Sequence, residues 1–156
     1  MKKVVKFGGS SLASAEQFEK VGKIVKAEPD RRYVAPSAPG KRYSRDVKVT
    51  DMLYKCYNVA AKDKPFADKL KDIQSRYQEI IDGLGLSLSL KGEFTVISEN
   101  FKKKIGEDYA ASRGEYLNGI ILAEYLGYEF LDATEVIFFT SEGALDTDKT
   151  DEALAN

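Results

Sequence analysis

Val4-Val5-Lys6-Phe7-Gly8-Gly9-Ser10-Ser11 places a short apolar run ahead of a lysine and a glycine-rich bend with hydroxyls. The run predicts a buried strand over residues 3–7. Glycines let a backbone approach an anion closely and turn its N–H groups toward it. A lysine at the strand end supplies a mobile point charge suited to phosphate. The string matches neither familiar phosphate fingerprint. In G-x-x-x-x-G-K-[ST] the lysine follows the glycines, and no G-x-G-x-x-G is present. Two meanings stay open: a phosphate-handling loop, or a strand that ends in a glycine turn with its lysine in water.

Working outward, Ser14-Ala15-Glu16-Gln17 has capping-box spacing, so a helix begins near Ala15 with Phe18, Val21, Ile24 and Val25 on one face. Pro29-Asp30 ends it. Arg32-Tyr33-Val34-Ala35 reads as a second strand stopped by Pro36, and Pro36 to Val47 as a surface loop. Thr50-Asp51 opens a second helix, and a third begins near Pro65 and ends at Gly83-Leu84-Gly85. Phe94, Ile97, Phe101 and Ile105 mark a fourth. A fifth runs from about Tyr109 to Leu126, with Gly127 at C′. Tyr128–Leu131 and Glu135–Phe139 read as two further strands, and the polar tail from Ser141 to Asn156 is weakly helical near its end. Strands separated by helices predict an α/β fold with a mainly parallel sheet. The helical block of about 50–126 is a layer or subdomain inserted between strands.

With 156 residues, 43% of them apolar and 31% charged, the chain suits one soluble domain with a real core. A net charge of −1 gives no electrostatic case for nucleic acid or membrane partners. No apolar run approaches the roughly 20 residues that span a bilayer. The single cysteine, Cys56, forms no internal disulfide, and a reducing cytoplasm is the expected compartment. The chain has no histidine, which excludes Ser-His-Asp and Cys-His catalysis and makes structural zinc implausible. Oxygen-ligated magnesium stays open.

Beyond Lys6, Gly8, Gly9 and Ser10, two groups of residues are chemical candidates. Ser37, Lys41 and Thr50 surround the loop after the second strand, where open α/β sheets place ligands. Thr50 is equally explained as an N-cap. In Arg113-Gly114-Glu115, a glycine inside an apolar-periodic helix signals close approach by another element, and Glu115 suits a ligand ammonium group. An exposed helical carboxylate is the plainer alternative for Glu115. Lys102-Lys103-Lys104 reads as a solvated helix face, Cys56 as inert packing, and the helical tyrosines and phenylalanines as core.

Val4 to Ser11, Val49-Thr50-Asp51-Met52-Leu53 and Ser112-Arg113-Gly114-Glu115-Tyr116, in that order, resemble the N-terminal part of aspartate kinases within the amino acid kinase family. The resemblance implies that residues 1–156 form the amino-acid-binding lobe of a three-layer αβα kinase domain. It implies a parent reaction in which ATP, as Mg-ATP, phosphorylates the side-chain carboxylate of L-aspartate to 4-phospho-L-aspartate, the first step toward lysine, threonine and methionine. It assigns phosphate binding to Lys6, Gly8, Gly9 and Ser10, with Lys6 catalytic. It assigns aspartate binding to Ser37, Thr50 and Glu115. Family members continue into a nucleotide-binding half with a Gly-Arg-Gly-Gly-Ser-Asp stretch, and many into regulatory ACT domains. The chain alone is therefore expected to have little kinase activity. The parent is expected to be a homo-oligomer, and this chain to self-associate through an open edge at Val136–Phe139. A non-catalytic amino-acid-binding or interaction module, or a kinase for another carboxylate or carbamate, is the alternative.

Overall fold

A computed structural model describes all of residues 1–156. Strand β1 (Lys3–Phe7) and strand β2 (Arg31–Pro36) pair in parallel, with Val5 opposite Val34 and Lys6 opposite Ala35. Helix α1 (Ala15–Lys26) makes the crossover between them. Ser14 caps it as the spacing predicts, with the Gln17 N–H donating to Ser14 Oγ, though the return bond from the Gln17 side chain does not form. Pro36 donates nothing to the ladder, so it sits at the strand end. The next residue continues the pairing, with the Ser37 N–H on the Phe7 carbonyl at 2.9 Å.

Four helices follow: α2 (Val49–Ala61), α3 (Ala67–Gly83), α4 (Lys91–Lys102) and α5 (Glu107–Leu126). The expected helical block is therefore present, but in this chain no strand follows it. Gly127 ends α5 in the left-handed region at φ 71°. Helix α2 starts one residue before Thr50, with Lys48 at its N-cap and no capping side chain, so Thr50 is not the cap.

The core lies among the helices. Phe18, Leu53, Ile73, Tyr77, Ile97, Phe101, Leu117 and Ile121 are buried together. The aromatic residues at helical spacing belong to it, with Tyr57 edge-on to Phe101 at 5.4 Å. Cys56 is buried there, and burial pushes its thiol up to about 11, so it stays protonated and inert at neutral pH. The sheet contributes only partly buried Val5, Phe7 and Val34. Strand β1 is not the buried strand expected: Val4 is 75% exposed.

Two expected strands do not form. Tyr128–Leu131 is irregular and pairs with no strand, and a 3₁₀ turn at Ala133–Glu135, capped by Asp132, leads into Val136–Phe139. The backbone there spends its hydrogen bonds outside any sheet. Ile137 N–H reaches the Ala133 carbonyl, and Phe138 N–H reaches Thr150 Oγ1. Only Phe139 bridges to Leu145, antiparallel. The open-edge strand expected at Val136–Phe139 is thus absent, and the strand edges are those of β1 and β2. The tail closes with α6 (Thr147–Ala155), capped by Asp146.

Candidate functional site

Where β1 and β2 end, two loops touch. The Gly40 N–H donates to the Gly9 carbonyl at 2.9 Å. A Cβ on Gly40 would fall 2.6 Å from the Gly9 carbonyl carbon, and one on Gly9 would fall 2.9 Å from the Ala38 oxygen. Only glycine fits at either place. Beside this contact opens a cleft of about 470 Å³, lined by Gly9, Ser10, Ser37, Ala38, Pro39, Gly40, Lys41, Lys48, Thr50 and Glu115.

Helix α5 forms the floor. Gly114 lets the loop descend onto it, since a Cβ there would sit 2.7 Å from the Ala38 Cβ. The close approach expected from a mid-helix glycine is therefore real. Glu115 Oε1 accepts from the Ala38 N–H at 3.3 Å, and Asn118 Nδ2 donates to the Ser37 carbonyl at 2.7 Å. Below, the buried Tyr77 hydroxyl donates to the Gly114 carbonyl at 2.8 Å. Burial, and then the charge of Glu115, push the Tyr77 phenol well up, so it stays a donor.

The other side of the loop is held from α3. Arg76, 5% exposed, donates to the carbonyls of Gly40 and Val47, each at 2.9 Å. It also lies 3.3 Å from Asp46. Arg42 grips both oxygens of Asp46 and reaches out to Glu79. The Arg42 hydrogen bond holds the Asp46 carboxyl well below the usual carboxylate range, against burial. The backbone N–H groups of Arg42 and Val47 and the Arg76 charge add to the effect.

Five of the residues expected to bind ligand, Gly9, Ser10, Ser37, Thr50 and Glu115, converge on the cleft. Lys6 and Gly8 do not line it. Lys6 is exposed on β1, and a Cβ on Gly8 would meet nothing within 4 Å. The cationic groups at the cleft are Lys41 and Lys48, and Lys48 had no sequence signal beyond its place before a helix. No side chain caps α2, whose first amide, of Val49, is taken by the Pro39 carbonyl, so the positive end of the helix lies beside Lys48 and Thr50, with Asp51 in the same turn. No group of three acidic, cysteine or histidine side chains is placed to hold a metal ion.

A larger cleft of about 630 Å³ lies between β2, α5 and the 128–137 segment. It is mostly apolar. Arg113 lines it with its guanidinium stacked over the rings of Tyr109 and Tyr116, at 4.7 and 4.3 Å. The smaller cleft has the convergent hydroxyls, amides and charges, and is the better candidate site.

No family model matches the chain. Aspartokinase 3 of Bacillus subtilis is 35% identical over 152 residues, covering 90% of this chain and 34% of that protein. The crystal structure of Clostridium acetobutylicum aspartate kinase superposes with a TM-score of 0.95 at 46% identity, over 100% of this chain and 36% of that one. Escherichia coli aspartokinase III, in complex with aspartate and ADP, shares the fold at a TM-score of 0.77 and 20% identity, over 99% of this chain and 37% of its own. The chain thus spans about a third of the length of the relatives it matches. No helix is long and apolar enough to cross a membrane. In sequence and in fold alike, the chain is a homologue of aspartate kinases over that third of their length.

Proposed function

We propose that the smaller cleft binds L-aspartate and that the chain supplies the amino-acid-binding part of an aspartate kinase. The observation that carries this is the convergence of Ser10, Ser37, Thr50 and Glu115, from four separate stretches of chain, on one cleft beside a glycine-walled loop contact. Glu115 meets the ligand ammonium group, and the Ser37 and Thr50 hydroxyls orient its carboxylates. The acceptor needs no general base, since an aspartate side chain with a pKa near ~3.9 is already ionised at neutral pH. A chain without histidine is therefore no obstacle.

The parent reaction is transfer of the ATP γ-phosphoryl group to that carboxylate. Such transfer depends on positioning and charge neutralisation. Ser10, Lys41 and Lys48, beside the Gly9–Gly40 contact, suit the phosphate side. Lys6 is assigned to the phosphates through the resemblance of its motif. Magnesium enters as the counter-ion of the nucleotide.

Titration calorimetry with L-aspartate tests the binding half. Saturable binding is expected, with Glu115→Gln weaker by about 10–100-fold, the usual worth of a hydrogen bond to a charged group. Equal affinity in the variant would remove Glu115 from the ammonium role. Incubation with ATP, magnesium, aspartate and hydroxylamine tests the catalytic half: the chain alone is expected to yield little aspartyl hydroxamate. A second reading, a binding module without phosphoryl transfer, draws on the position of Lys6 outside the cleft. If a longer chain makes hydroxamate and Lys6→Ala leaves the rate unchanged, the catalytic role of Lys6 falls.

A further inference from the structure

Ser37 and Ala38 share one peptide group, and α5 holds both ends of it. Its carbonyl accepts from Asn118 at 2.7 Å, and its N–H donates to Glu115 at 3.3 Å. The peptide is trans, so the two groups point in opposite directions. Two side chains one helical turn apart therefore fix the rotation of a single peptide plane. That rotation decides how Ser37 is presented to the cleft. It also engages Oε1 of Glu115 and leaves the second carboxylate oxygen for a ligand.

Asn118 is fully buried, and its Oδ1 has no partner. Packing alone does not explain an asparagine here. Its neighbours on α5, Leu117, Ile121 and Leu122, are apolar and buried, and an apolar side chain there would leave no orphaned acceptor. An unpaired buried polar atom is destabilising, and such local costs persist where a site requires them.

We propose that Asn118 is a positioning residue that acts through the Ser37–Ala38 peptide to hold Ser37 and Glu115 in register for an amino-acid ligand. This rests on the smaller cleft being the amino-acid site. Asn118→Leu keeps the branched skeleton with bulkier ends, and Asn118→Ala is smaller; both remove the donor. In both, the Ala38 amide is expected to exchange with deuterium about tenfold faster while the Ile97 amide in the core is unchanged, and L-aspartate to bind about tenfold more weakly. Unchanged Ala38 protection in both variants overturns the proposal. So does lost protection with unchanged aspartate affinity. If the wild-type chain binds no aspartate, the assignment of the cleft fails instead, and the exchange comparison still decides whether Asn118 holds the peptide.

Discussion

Replacing Arg76 with methionine is expected to lower the unfolding free energy by about 3–5 kcal/mol, the usual loss when one member of a buried ion pair is removed. Methionine restores much of the volume but none of the three contacts. Two carbonyls, of Gly40 and Val47, lose their donor, and Asp46 keeps a single cationic partner in a buried setting. Glu79 is the control. It meets Arg42 at 2.8 Å but is 62% exposed, so Glu79→Ala is expected to change stability by less than about 1 kcal/mol. Urea unfolding of both variants checks this, and a loss for Arg76→Met no larger than the control would show that the loop stands without its arginine.

The same cluster sets an acid limit. The native pKa of Asp46 is depressed, so its contribution is fully present above the unfolded value near ~3.9 and is lost as pH falls toward the native one. Stability is therefore expected to decline below about pH 4, less steeply in an Asp46→Asn variant.

Gly40→Ala is expected to cost about 1–3 kcal/mol and to weaken L-aspartate binding by at least about tenfold. The added methyl meets backbone rather than a movable side chain: the carbonyl carbon and oxygen of Gly9 and the nitrogen of Ser10, at 2.6, 2.8 and 2.8 Å. The two loops must separate, and the wall they form together separates with them. Gly8→Ala, one residue from the contact, meets nothing and is expected to stay within about 0.5 kcal/mol of wild type. Calorimetric titration and denaturant unfolding of the pair check the contrast. Equal behaviour would mean that the glycine string serves flexibility rather than close approach.

That contrast marks what the sequence could show. The Val4–Ser11 string announced a glycine bend, but not that Gly9 interlocks with Gly40 while Gly8 stays clear, because the partner loop lies thirty residues away. Gly114 was legible because a glycine inside an apolar helix needs a reason, and Glu115 came with it. Arg76 and Asn118 left a fainter trace. Each is a polar residue within an apolar stripe, beside Tyr77 and Leu117, and neither stripe reveals which backbone atoms it will meet. The strands expected at Tyr128–Leu131 and Glu135–Phe139 were read from β-prone composition. Composition reports that a segment is apolar and extended; it does not supply a neighbour for its hydrogen bonds.

The helices hold the oily mass of this molecule, and its two strands merely rest against it. Warming such a body loosens the rim before the trunk. The exposed strands form that rim, whereas the Gly9 and Ser37 loops are tied to the trunk through Glu115, Asn118 and Arg76, so β1 is expected to loosen before the cleft does. An arriving guest would meet a jaw already fastened to the palate beneath it.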